Sequence, residues 1–544
     1  MLQMRLTTFN KILIAIFFLM TFFRSNAHGQ ILDHYEDFDI YWGESFRDLG
    51  NVERILKTKE DHYVSVVNRT NLYNFFTDYK KRFYFEPIED FRPYKDKKVK
   101  LYGDGKRTFL EDFAVLNDQL LVISRRKKFF KKKVKLYYHF LDPDKGVKEN
   151  HGFHLETYSL NRSLSYDYLS VVSNIEKSKV GYLYTIPGGR NEFPTYSFGV
   201  FDSTYHIKTQ GTSIFPFQNK QMQFERSYIT RSGDLYVLAQ EFSPDPRGMN
   251  WGNNFNNQKQ LTVFKLKDGE LSDFNVRRNE LLLKEIEITA DNEDLIFSGL
   301  YADDVRSGIR GVFFMKMNDS GDIIQEEFTR FSTDFKIQGQ QLPQNLQLNN
   351  PNFREGLGSY RMRDLRKTED GGFIGIAEHF DIEERFSGTG APGTNNRVDT
   401  YYYYNNIIIY KLDSTGRLIW NTVVSKNQHS INDGGYYLSF SKYVSDSTMY
   451  LVFNDNSKNY NDEGRFLNEA NPKTAYFNSW RNAIAFVEVD LKTGRIKRRS
   501  IGGKKQTDTV IVPKLCIENQ EDEELFLYSK SGNKHRYGRI QFNF

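Results

Sequence analysis

Two carboxylates stand where apolar runs give way to long irregular segments: Glu378 in GGFIGIAEHF and Asp455 in MYLVFNDN. Two acids about 5 to 9.5 Å apart can flank a glycosidic bond, one protonating the leaving oxygen while the other attacks the sugar or activates water. Beside them, Trp251, Tyr401, Tyr402, Tyr403, Tyr460, Trp480 and Arg481 lie in segments rich in Asn and Gly. Aromatic planes next to amide groups suit glycan stacking and protein interfaces alike, and also the packing of loops onto a scaffold. A third feature is the basic run RRKKFFKKKVK, in which Arg125, Arg126, Lys127, Lys128, Lys131, Lys132 and Lys133 crowd around two phenylalanines. At a hairpin tip such a run is either a solvated loop or a contact for an anionic membrane surface or polysaccharide.

Metal and nucleotide chemistry find less support. DNSKNYNDE alternates oxygen donors, but Tyr460 occupies the turn position where a calcium loop requires Gly. His151 and His154 of HGFH lie in strand-like sequence without an evident third ligand. GGKKQT lacks the spacing of a phosphate-binding loop, and no G-x-S-x-G elbow is present. No metal and no cofactor is expected.

The elements that must position these residues are strands. Short runs rich in Val, Ile, Tyr and Phe recur, bounded by Gly, Asp and Asn, and helical periodicity is scarce. Val64, Val122, Leu183, Tyr236, Ile296, Ile374, Tyr450 and Phe526 mark the centres of eight such runs, spaced by about 66 residues. A second apolar run follows most of them, and an Asp-Gly turn recurs behind it at 142–146, 267–269, 318–321, 413–416 and 490–494. Continuous apolar runs mean burial on both faces, as in stacked four-stranded sheets around an axis. The expected fold is all-β: a β-propeller of eight four-stranded blades, with seven as the alternative, spanning 30–544 as one domain. The last unit lacks a strand, which DIYWGESFR near the N-terminus can supply, pairing with the C-terminal blade to protect both edges. The ending GRIQFNF alternates strictly and keeps a transmembrane barrel as a competing reading.

Residues 1–29 read as a signal peptide: Arg5 and Lys11 precede the apolar run 12–23, and the small residues Ser25, Ala27 and Gly29 follow. Cutting after Ala27 or after Gly29 fits equally, so the mature chain starts near His28 or Gln30. The chain carries 75 basic and 70 acidic side chains; losing Arg5, Lys11 and Arg24 with the leader leaves 72 against 70. A nearly neutral mature protein lacks the field of a nucleic-acid binder. No later run reaches the ~20 apolar residues of a membrane helix. Cys516 is the only cysteine and excludes an internal disulfide, so a large core must supply the stability.

Asp413, Gly416 and Trp420, and again Asp490, Thr493, Gly494 and Arg498, resemble the tryptophan-docking repeat of quinoprotein-type propellers, in which Trp lies four residues past Gly. Trp42 in DIYWGESFR is placed like Trp420 in RLIWNTVVS. The resemblance implies eight blades, and either a quinone-dependent dehydrogenase or a non-enzymatic scaffold of outer-membrane assembly. A single cysteine cannot form the adjacent-cysteine disulfide of several such dehydrogenases, which turns the expectation toward the scaffold. The pattern is also similar to exported bacterial repeat propellers of unknown function. The expected function is therefore an exported, non-catalytic propeller that binds a protein or glycan at the cell envelope. It would be periplasmic, surface-associated or extracellular, with peripheral membrane contact through the basic run. The alternative is a carbohydrate-active enzyme working through Glu378 and Asp455.

Overall fold

The computed structural model describes residues 30–544 except 48–49, 60–61, 69–82, 94–96, 129–132, 143–148, 160–168, 187–192, 194, 217–221, 243–257, 268–269, 275, 277, 279–280, 292–293, 305–306, 340–355, 388–396, 468–471 and 478–479. The eight expected strand centres each fall in the second strand of a different antiparallel sheet. In the sixth sheet the order is Tyr360–Lys367, Phe373–Ser387, Arg397–Leu412 and Leu418–Val424, each strand paired with the next. The seventh repeats it with Ser441–Val444, Thr448–Asn456, Asn482–Asp490 and Ile496–Ser500.

First strands of successive sheets lie against each other. Phe109–Leu116 meets Leu169–Ser173, Leu282–Asp291 meets Tyr360–Lys367, and Ser441–Val444 meets Ile517–Asn519. Ile517–Asn519 also touches Asn51–Lys59, which brings the last sheet against the first. Meanders of four strands packed face to face in this order are the arrangement of a β-propeller. The strands are divided among separate sheets and not joined into one continuous wall, as the barrel reading requires.

The N-terminal strand Phe38–Trp42 pairs antiparallel with Lys534–Phe542, Ile40 opposite Ile540. This is the strand that the last unit lacked. Phe38, Ile40 and Trp42 are buried with Tyr450 and Phe486 of the seventh sheet and Leu525 and Ile540 of the last. Chain ends far apart in sequence are thus held by both hydrogen bonds and apolar burial. The same interdigitation recurs between other neighbours, as where Ile374 and Ile409 of the sixth sheet meet Leu451 and Val487 of the seventh. Residues on both faces of the middle strands are buried, which is why these strands read as unbroken apolar runs.

The recurring turns are docking points. In the turn after Leu412, Asp413 Oδ1 accepts from Thr415 N (2.8 Å), Thr415 Oγ1 (2.7 Å) and Arg417 N (3.0 Å), and Gly416 takes φ +82°. Asp490 binds Thr493 in the same way, with Gly494 at φ +71°. FDSTYH is a further copy: Asp202 accepts from Thr204, and Tyr205 holds φ +64° where Gly416 stands in DSTG. The carbonyls of these turns then receive donors from the preceding sheet. Asn117 Nδ2 donates to Ser203 O (2.9 Å), Lys265 Nζ to Asp319 O (3.1 Å), Gln325 Nε2 to Thr415 O (2.8 Å) and Trp420 Nε1 to Leu491 O (3.2 Å). Gln325 and Trp420 both lie four residues past their own turn glycine. The Trp420 ring also lies so close to Gly494 that a Cβ there would meet Cε3 at 2.7 Å.

Candidate functional site

Connections from second to third strand, and from fourth strand to the next sheet, open on one face of such a fold. Glu378 approaches this face in the second strand of the sixth sheet, opposite Arg361 and Ile407. A register shift between Glu378 and Phe380 then releases the strand into a ribbon running to Ser387 and back from Arg397. The expected loop before the opening of the third strand is in this part a strand: Tyr401, Tyr402 and Tyr403 pair with Glu383, Ile382 and Asp381, and with Ile431, Ser430 and His429 on the other side.

Glu378 is fully buried, and each of its oxygens is engaged. Lys426 Nζ donates to Oε1 at 2.6 Å; Arg363 Nε at 2.9 Å and Ser439 Oγ at 2.8 Å donate to Oε2. Burial alone would raise this carboxyl, but the Lys426 and Arg363 charges outweigh it and hold it below its ordinary value. A general acid needs the opposite shift at neutral pH. Lys426, also without solvent exposure, spends its other two N–H groups on Tyr404 O (2.9 Å) and Gln428 Oε1 (3.0 Å). Loss of hydration pulls its ammonium down to about 8 against the attraction of Glu378. His379, beside the pair, is pushed down to about 4 by burial and is neutral.

Asp455 is turned inward as well. It pairs with Arg498 of the fourth strand of the seventh sheet and accepts from Asn459 Nδ2 (2.8 Å) and Tyr460 Oη (2.7 Å). Arg498 occupies the docking-tryptophan position but reaches Ser425 O and Tyr460 Oη instead of the next turn. The two carboxylates expected to face a substrate are therefore each saturated by partners within the fold. Tyr460, expected as a binding residue, is buried on the same network, and burial raises its hydroxyl well above the usual range. The oxygen-rich run is committed too: Asn456, Asn459 and Asn461 accept from the backbone N–H groups of Lys458, Lys473 and Arg465. Among the described residues no group of three or more His, Cys, Asp and Glu is placed to hold a metal.

Other expected residues do face outward. Arg385 lies over the Tyr401 ring at 4.3 Å and donates to Tyr403 Oη (3.0 Å) and Glu383 (2.7 Å). Tyr401 and Tyr403 stack at 6.4 Å on one side of the ribbon, half exposed, with Tyr402 alternating to the other. Trp480 is 70% exposed in the insertion of the seventh sheet, next to Arg481, whose guanidinium lies 5.9 Å from the exposed Tyr476 ring. Trp251 lies outside the described residues.

The basic run is a hairpin as expected, Lys128 pairing with Lys133 across its end; Lys131 and Lys132 lie outside the described residues. Arg125 is not available to an outside anion, because it pairs with Glu111 at 2.7 Å with 14% of its side chain exposed. Arg126 is half-buried and Lys133 is exposed, and Lys127 and Lys128 sit in the strand register toward the tip.

Sequence reading passed over a repeated pair of charges in the first strands. Register shifts fall at 52/54, 110/112, 224/226, 283/285 and 362/364, at Glu53-Arg54, Glu111-Asp112, Glu225-Arg226, Lys284-Glu285 and Arg363-Asp364. The bulge turns two adjacent charges off the pleat. The second reaches the next sheet, as Arg54 does to Asp112, Arg226 to Glu287 and Asp364 to Lys442, while the first stays with its own, Glu53 with Asn68, Glu111 with Arg125 and Arg363 with Glu378. Asp112 accepts from Val171 N (3.2 Å) and Glu285 from Met362 N (3.1 Å), so carboxylates satisfy the edge of the next sheet. Two adjacent charges inside an apolar strand were the legible signal. A second constellation was also missed: Ser124 Oγ is 2.7 Å from His139 Nε2, and His139 Nδ1 is 3.0 Å from Asn150 Oδ1. It has the connectivity of nucleophile, base and orienting group, yet Ser124 and His139 are wholly buried and Thr108 shares the hydroxyl.

No protein-family model and no curated protein sequence matches the chain. Among solved structures, it is similar to the WD40 domain of SCAP from fission yeast (8% identity, TM-score 0.39, covering 94% of this chain and 97% of that one). It is also similar to prolyl oligopeptidase B from Galerina marginata (10%, 0.36), covering 89% of this chain but only 55% of that one. A third is the β-propeller domain of the Trilobed protease from Pyrococcus furiosus (10%, 0.29, covering 72% and 95%).

Proposed function

We propose that this chain is an exported eight-bladed β-propeller, of the tryptophan-docking kind, that acts as a binding scaffold for a protein or polymer partner at the cell envelope or outside the cell. Export is supported by the leader-like residues 1–29, and among the described residues no helix is long and apolar enough to cross a membrane. The observation that carries the binding role is a division of labour on the elaborated face. Its two candidate acids are buried in ion pairs, whereas Arg385, Tyr401 and Tyr403 on the ribbon and Trp480 and Arg481 in the insertion of the seventh sheet face solvent. Exposed Arg and aromatic side chains on a rigid strand pair are what a binding surface requires. The basic hairpin of the second sheet opens on the same face and offers an electrostatic contact to an anionic surface.

The test is crosslinking in the native envelope from a photoreactive residue at Tyr403, with one at Arg417 on the opposite face as control. A discrete adduct from Tyr403 alone, lost when Arg385 and Tyr401 are replaced by alanine, supports the reading. Equal adducts from both positions, or turnover of a glycan by the purified protein that Glu378→Gln abolishes, would sink it.

A further inference from the structure

Lys514 stands at the edge of the Glu378 network, its ammonium against Tyr404 and its residue partly exposed, with an unequal balance of charge around it. Nζ lies 4.2 Å from the centre of the Tyr404 ring and donates to Tyr404 Oη (2.9 Å) and Gly435 O (2.8 Å). An ammonium has three N–H groups, so one remains among the described residues. The side chain is exposed, and among the described residues no carboxylate lies within 4.0 Å of its nitrogen. The Arg363 guanidinium lies 5.5 Å from the same ring, on a side chain that is 30% exposed, so two cations share one partly exposed aromatic side chain.

Among the described residues, the charged groups that act most strongly on Lys514 are Glu378, Arg363, Lys426 and Asp433. With Lys514 itself, three cations face two carboxylates. Glu378 is already neutralised by Lys426 and Arg363, and Asp433 accepts from Ser430 Oγ and Gly435 N. One positive charge is left uncompensated, next to a free donor and an aromatic face. We propose that Lys514 and Arg363, against Tyr404, form a binding site for a single carboxylate group. A monoanion completes the balance, whereas a phosphate dianion would leave a negative excess in a half-enclosed site. The site adjoins the outward ribbon but does not depend on the ribbon's role, since its residues lie on the opposite side of Tyr401 and Tyr403.

Loss of hydration, together with the Arg363 and Lys426 charges, lowers the Lys514 ammonium to about 8. Its charge, and the site's attraction for an anion, should therefore decline above that pH.

Calorimetric titration of the mature protein with glucuronate, the α-amide of N-acetylglutamate (a single side-chain carboxylate) and inorganic phosphate tests this. The two organic acids show whether the carboxylate is presented on a sugar ring or on an acidic side chain. Expected are saturable binding of at least one of them more tightly than phosphate, an about tenfold loss of affinity from pH 7 to pH 9, and a tenfold or greater loss in Lys514→Gln. Lys514→Arg should keep affinity within about threefold and flatten the pH profile. This second variant also serves if Lys514→Gln fails to fold. No binding of either acid by the wild type, tighter binding of phosphate, or unchanged affinity in a folded Lys514→Gln would overturn the proposal.

Discussion

Replacing Glu378 with glutamine tests how the elaborated face is held together. The substitution keeps the shape and removes the charge that Lys426, Arg363 and Ser439 share. The Arg363 side chain retains 30% exposure, but Lys426 has none, so most of the cost falls on that ammonium. Breaking a buried pair by removing one partner costs about 3–5 kcal/mol. Unfolding entropy of about 2.1 cal/mol/K per residue gives roughly 1.1 kcal/mol/K for a mature chain of about 515 residues, so the melting point should fall by about 3–5 °C. The pH dependence has a definite sign. A lysine that binds its proton less tightly folded than unfolded makes stability rise as pH climbs through the folded value toward the unfolded ~10.4. In the wild type that window opens at about 8. Without Glu378 it opens lower, so the variant should recover part of its deficit between pH 7 and pH 9. Calorimetry of Glu378→Gln, Lys426→Met and the double variant should also give a coupling of about 2–3 kcal/mol. A variant melting within about 1 °C of the wild type at every pH refutes the argument.

Trp420→Ala removes both the ring over Gly494 and the bond to Leu491 O, and should cost about 2 kcal/mol in urea unfolding; Gln325→Ala, which loses only a hydrogen bond, should cost about 1 kcal/mol. Gly416→Ala must hold φ +82° with its Cβ 2.3 Å from Phe314 Cδ1, and a loss of about 2–4 kcal/mol is expected by the same measurement, partly relieved by Phe314→Leu. A chain starting at residue 44 leaves the outer edge of Lys534–Phe542 unpaired from 538 to 542 and should associate with rising concentration in light scattering. A monomeric truncated chain of wild-type stability would show the N-terminal strand to be dispensable.

Much of the architecture was legible because it repeats. Burial on both faces leaves an unbroken apolar run wherever it occurs, so Val64, Ile374 and Phe526 all announced second strands. The tight turns were legible where Gly filled the positive-φ position, and illegible at Tyr205, where a bonded Asp202 carries a bulky residue into the same conformation. Aromatic side chains in polar surroundings marked Tyr401 and Tyr403, but Tyr460 has the same neighbours in sequence and ends up buried. Its bonds to Asp455 and Arg498, from two strands, hold it inside.

The order of strands, the turn chemistry and the completion of the last sheet by the N-terminus follow from local pattern, since periodicity and φ preference act within a few residues. The state of each charged group does not. Glu378 stands at the end of an apolar run in either case; that it is a saturated anion and not an acid depends on Lys426 and Ser439, which lie 48 and 61 residues away in the chain. The energy of a buried charge is set by whichever partners the packing of sheets brings within a few ångströms, and that distance is decided only when the sheets come together.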